Sequence, residues 1–113
     1  MQNLDECKYF FKNINKNDVK LSVNIGHLNL AAKVYKFNKI KYLTSLKNYI
    51  ETFELSHNNG YEDHHKPLID NSWYWEILKS KIFREKIMIL EYRNVSIAKI
   101  KESIKLFNKK MKF

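Results

Sequence analysis

Four histidines and a handful of carboxylates stand where they could hold a metal ion or move a proton. His27 follows Asn24 by three residues, Asp63-His64-His65 form a compact group, and Glu91 ends the apolar run Ile87-Met-Ile-Leu. Imidazole nitrogen and carboxylate oxygen are ligands for zinc, manganese or iron, and imidazole can also act as a general base near neutral pH. A carboxylate is costly to bury unless it is paired or bound to a metal, which makes Glu91 conspicuous beside four apolar residues. Each feature also has a plain reading. A histidine-rich loop can simply be solvated, and a strand-end glutamate can pair with one of the many lysines.

The elements that must position these groups follow from periodicity. Leu4, Cys7, Phe11 and Ile14 form one helical stripe, with Asn3 able to cap it and Asp5 and Glu6 in the favourable first turn. Asn15 to Asp18 breaks that pattern. Val19, Leu21, Val23 and Ile25 then alternate with Lys20, Ser22 and Asn24, the period of a strand, which Gly26 ends and His27 follows as loop. Ile40, Leu43, Leu46 or Lys47, and Ile50 mark a second helix. Thr52 to Ser56 reads as the next strand, closed by the turn-like His57-Asn58-Asn59-Gly60. Asn71 or Ser72 can cap a third helix through Trp75, Leu78 and Ile82. Ile87 to Tyr92 reads as a buried strand, and Ser96 caps a last helix with the stripe Ile100, Ile104, Phe107 and Met111. The alternation predicts an α/β fold of about three parallel strands joined by crossover helices.

Strand parity then aligns the polar groups. With Val23 and Ile25, Phe53 and Leu55, and Met88, Leu90 and Tyr92 turned toward the helices, Asn24, Glu54 and Glu91 share the other side near the strands' C-terminal ends. Ligands bind at that end of parallel α/β sheets.

Composition bounds the function. Apolar types make up 44 % of 113 residues and Gly plus Pro only three positions, which favours ordered structure over disorder. No apolar run of membrane-spanning length exists, and Met1 to Lys8 lacks the apolar core of a signal peptide, so the cytoplasm is the expected compartment. Cys7 is alone, which excludes a disulfide within one chain, and its helical spacing makes it a core residue. The net charge of +9 suits nucleic acid, but nineteen of the twenty-one basic residues are Lys and no Arg cluster offers readout of base edges.

Four segments in order, Ser22-Val-Asn-Ile-Gly-His-Leu-Asn-Leu30, Phe53-Glu-Leu-Ser-His-Asn-Asn-Gly60, Asp63-His-His-Lys-Pro67 and Ile87-Met-Ile-Leu-Glu-Tyr92, resemble the C-terminal part of the xylose-isomerase-like TIM-barrel superfamily. That group holds sugar-phosphate isomerases and epimerases and the apurinic-site endonucleases of the endonuclease IV type. The resemblance implies a partial (β/α) barrel, residues 1–113 forming one incomplete domain, short of the ~250 residues of a whole barrel. It implies metal-facing roles for Asn24, His27, Glu54, Asp63, His65 and Glu91, with Glu91 and His65 as the catalytic pair and a divalent metal (Mn, Zn or Mg) as cofactor. Asn24 stands where the family has Asp, and Glu54 and His57 where it has His and Asp. The family's Gly-x-Gly after Pro67 is replaced by Leu-Ile-Asp-Asn-Ser.

Isomerase relatives would hold an α-hydroxycarbonyl between carboxylates and metal, whereas endonuclease relatives would activate water with clustered metals. Both need opposed groups fixed by a closed barrel, so this chain is expected to be inactive alone, as a fragment or remnant of such an enzyme. Assembly into a complete site, by self-association or with a missing N-terminal half-barrel, is the second expectation. A small basic module binding nucleic acid or protein is the third. A sugar phosphate is the expected small ligand, ahead of DNA.

Overall fold

The computed structural model describes residues 3–14 and 19–112. The break expected at Asn15 to Asp18 lies outside them. Among the described residues the chain forms five helices and a three-stranded sheet, α/β in class. Helix α1 (Leu4–Asn13) starts where Asn3 accepts a hydrogen bond from the Glu6 N–H at 2.8 Å, and it buries Cys7 and Phe11. Phe11 stacks on Tyr49 with ring centroids 4.6 Å apart, fixing this helix to the turn that leads into the central strand.

Strand β1 (Leu21–Asn24) is shorter than its alternating pattern, and Ile25 opens helix α2 (Ile25–Tyr35) with no intervening loop. This corrects the expectation that Gly26 ends a strand and His27 enters a loop. Asn24 is at once the last strand residue and the helix cap, its Oδ1 accepting from the His27 N–H at 3.1 Å. Gly26 misleads because its role is close packing. A Cβ there would stand 3.0 Å from Ser56 Oγ, 3.2 Å from Asn58 Nδ2 and 3.3 Å from Asn24 Oδ1. Ser56 and Asn58 are buried and cannot easily yield. Gly26→Ala is therefore expected to lower stability in a urea melt, although alanine's helix propensity alone would favour it by about 1 kcal/mol. A raised midpoint would show that the packing is slack.

The second expected helix is shorter than predicted. Helix α3 (Lys39–Ser45) ends before Leu46, and Ile50 begins strand β2 (Ile50–Leu55). Helix α4 (Tyr74–Lys79) follows, preceded by Trp73 with no side-chain cap at Asn71 or Ser72, and Ile82 lies beyond it in a turn. Strand β3 (Ile87–Leu90) stops before Glu91. Helix α5 (Ile97–Lys110) is capped by Ser96 as expected, but its packed face is displaced. Ser103 is buried and Leu106, Phe107 and Met111 pack on the core, whereas Ile100 and Ile104 are exposed. Lys110, near the end of this helix, pairs with Asp70.

The sheet is parallel throughout in the order β1-β2-β3, with Val23, Phe53 and Met88 in one row and Asn24, Glu54 and Ile89 in the next. Consecutive order fits the described helices all contributing to one core on a single face. Val23, Phe53 and Leu55 are at most 1 % exposed and meet Leu28, Leu43, Leu46, Tyr74, Leu78 and Phe83 in a single core. Among the described residues no helix packs on the opposite face. Ile87 is 57 % and Ile89 48 % exposed there, so β3 is covered on one side only, not buried as its apolar run suggested. No helix among the described residues is long and apolar enough to cross a membrane.

Candidate metal centre

At the C-terminal ends of the strands, three segments bring their polar groups together. Capping by Asn24 fixes the first turn of α2 and with it His27, whose side chain is 48 % exposed. The other two groups come from the loop after β2. Its base is pinched by an antiparallel bridge in which the His57 N–H donates to Lys66 O at 2.8 Å and the Lys66 N–H to His57 O at 3.1 Å. Its outgoing arm is held by aromatic polar tips. Tyr92 Oη accepts from the Leu68 N–H, Tyr74 Oη from the Ile69 N–H, and Trp75 Nε1 donates to Ile69 O.

Within this loop Asp63 Oδ2 lies 3.0 Å from His27 Nε2 and 3.0 Å from His65 Nε2. One ligand atom from each of the three residues falls within 4.8 Å of the others. His65 is the buried member, with a side chain 7 % exposed, and its backbone is left-handed at φ 50°. That conformation is uncommon for a residue bearing a Cβ, and such strain gathers at functional sites. The Arg93 N–H, donating to His65 O at 3.0 Å, holds it there. Partial burial acts to raise the Asp63 carboxyl, but hydrogen bonds and charge from His27 and His65 outweigh it and hold the group below its ordinary range.

The remaining expected residues fall into two places. Glu91 lies just past β3, with Oε1 3.9 Å from His65 Nδ1, at the rim of the cluster. Asn24 and Glu54 pair with each other, Asn24 Nδ2 donating to Glu54 Oε2 at 3.3 Å. With its Oδ1 capping α2 as well, Asn24 has both ends of its amide engaged. His64 turns to Glu62, with 2.7 Å between Nε2 and Oε2.

Sequence reasoning passed over Asn58 as a turn residue. It is 5 % exposed, donates to Gly26 O at 2.9 Å and accepts from Asn29 Nδ2 at 2.8 Å and the Gly60 N–H at 2.9 Å. It ties the loop that carries Asp63 and His65 to the first turn of α2. Only an unusual demand on one amide of an Asn-Asn-Gly turn could have revealed it.

His57 is placed to stay neutral. Tyr74 Oη accepts from the Ile69 N–H, which leaves its hydrogen for His57 Nδ1 at 3.3 Å. Burial, then the nearby His64 and Lys66, lower the His57 pKa. Protonation therefore favours the unfolded chain, whose histidine keeps a pKa of about 6.5. Stability is full above that value and lost as pH falls through the lower folded value. Urea midpoints taken either side of that range are expected to fall less in His57→Gln than in the parent chain. Equal falls would assign the loss to other groups.

No family model matches the chain, and no curated protein or solved structure matches it either.

Proposed function

We propose that this chain is a partial barrel of the xylose-isomerase-like kind whose own contribution is a divalent-metal site made by His27, Asp63 and His65. The observation that carries the reading is the convergence of these three ligand atoms at the C-terminal end of a parallel sheet. The spacing suits an ion. Ligand atoms about 2.1 Å from an ion stand about 3.0 Å apart at right angles and about 3.4 Å apart in a tetrahedron, so the Asp63 Oδ2–imidazole contacts, hydrogen bonds at 3.0 Å, need shift by only a few tenths of an ångström to admit one. Two imidazoles and one carboxylate favour zinc, manganese or iron over magnesium, which prefers oxygen.

An ion held there would supply Lewis-acid stabilisation of a carbonyl, alkoxide or phosphoryl oxygen. The chain's own residues do the rest. Asn24 keeps His27 in position, and Asp63 joins the two imidazoles. Glu91, at the rim beside His65, is placed to take or return a proton from a ligand over the bare sheet face. Sugar-phosphate isomerisation or epimerisation is the chemistry we assign to the completed site. An endonuclease IV-like reaction is the second reading, since Asp63 and His65 fit the pattern of that branch as well as that of the isomerases.

The open face, with exposed Ile87 and Ile89, supports the view that catalysis awaits a second copy or a complementary half-barrel. Calorimetric titration of the EDTA-treated chain with Zn²⁺ or Mn²⁺ is expected to show one saturable site per chain. Assays on ketoses and on abasic DNA are expected to show no turnover by monomer. Absence of saturable binding would end the proposal, and turnover by monomer would end its assembly clause.

A further inference from the structure

A second cluster of polar groups gathers on the helical side, apart from the metal-facing residues. The latter half of α2, the start of α3 and the turn after Asn58 enclose a pocket of about 290 Å³ lined by Asn29, Lys33, Phe37, Lys39, Asn59 and Gly60. Lys39 Nζ donates to Asn29 Oδ1 at 2.6 Å and lies 4.1 Å from the ring centre of Trp73. Lys33 Nζ lies 3.5 Å from the ring centre of Tyr61. Asn29 is itself anchored by buried Asn58. Both ammonium groups are thus held in place by an aromatic face, which orients a cation without neutralising it.

Neither ammonium has a carboxylate within 4.0 Å among the described residues, and no acidic residue lines the pocket. Lysines elsewhere do find acids, Lys110 at Asp70 and Lys99 at Glu102. The two groups also feel one another. Burial chiefly, and then the charge of Lys33, lower the Lys39 pKa. Two oriented, uncompensated ammonium groups lining one cleft make a local positive field that an anion would relieve.

We propose that this pocket binds a phosphate group, its oxygens bridging Lys33 and Lys39. Lysine serves such a group as a compact point charge with rotatable donors. The phosphate can belong to a small phosphorylated metabolite or to a nucleic-acid backbone, and the pocket's chemistry is common to both.

The test is a ¹H–¹⁵N NMR titration of the full chain with inorganic phosphate at ionic strength held constant with chloride. Saturable shifts are expected at the Gly60 N–H and the Asn29 side-chain amide. The double variant Lys33→Met/Lys39→Met is expected to weaken binding by about tenfold or more, the order that charge-assisted contacts carry. Lys105→Met/Lys109→Met, on the exposed face of α5, is expected to leave it unchanged. A parallel titration with a short oligothymidylate separates the sources. Tighter, steeply salt-dependent binding at the same two positions assigns the pocket to nucleic acid, and affinity no better than that of phosphate assigns it to small phosphorylated compounds. Shifts that rise linearly, that are as large along α5 as at Gly60, or that persist in the Lys33/Lys39 variant overturn the proposal. Should that variant fail to fold, localisation on the parent chain decides alone.

Discussion

Asp63→Ala is expected to lower the affinity of the chain for Zn²⁺ or Mn²⁺ by at least about a hundredfold. Outer partners of metal-bound residues already carry about ten- to a hundredfold, and Asp63 is more central than an outer partner. Among the described residues it alone touches both imidazoles, with its carboxylate 3.0 Å from each. Without it two histidines face a cation with no anion between them. Glu91→Gln is expected to cost less, about tenfold, because Glu91 stands 3.9 Å from His65 on the side away from Asp63.

Thermal shift provides an independent reading of the same event. A ligand at about a hundred times its Kd adds about 2.7 kcal/mol to stability, and that increment is expected in the parent chain and not in Asp63→Ala. Ion binding also requires neutral imidazoles, so affinity is expected to fall on acidification. Undiminished binding in the Asp63 variant would place the ion elsewhere.

Asn58→Leu is the largest stability effect expected from a single polar side chain here, a loss of roughly 2–4 kcal/mol. Leucine matches the volume but abandons three partners. The Gly60 N–H and the Asn29 amide lose an acceptor, and the Gly26 carbonyl loses a donor. Buried groups left unpaired in this way carry their full desolvation cost. A loss of that size corresponds to a fall in Tm of roughly 10–20 °C for a small domain. Asn59→Ala is the matched control. Asn59 is exposed and, among the described residues, accepts from the Tyr61 and Glu62 N–H groups, so its loss is expected to cost under about 1 kcal/mol. Equal melting temperatures for the two variants would mean that the buried amide network contributes little.

What could be read from residues alone, and what could not, divides along physical lines. Caps were legible because Asn3 and Ser96 precede clear helical stripes and need only a local hydrogen bond. The core-facing strand residues Val23, Phe53 and Leu90 were legible from period two, since parity is a property of the chain itself. Helix α2 was not. Its first turn carries a glycine, and Asn24 serves a strand and a helix together, so alternation ran on through Ile25 into what is already helix. Burial of β3 was misjudged for another reason. An apolar run says that a strand has partners for its backbone but not whether one face or two are covered, and only one is.

The same division holds at the candidate metal centre. Asp63 and His65 were legible as neighbours two apart, whereas their meeting with His27 depends on a helix starting where a loop was expected. The Asn24–Glu54 pair follows from register between adjacent strands, which no single segment specifies.

The pinched base of the loop after β2 bears on how an ion would be captured. Since the His57–Lys66 bridge already joins the two arms, the conformational freedom lost in drawing Asp63 and His65 toward each other is spent during folding, before any cation arrives. His27, on a rigid helix turn, acts as the fixed jaw of a vice whose other jaw is already nearly shut. Capture should then resemble an ion dropping into a seat rather than a loop wrapping around it, with small heat-capacity change and little sensitivity to lengthening the exposed tip at Tyr61 and Glu62.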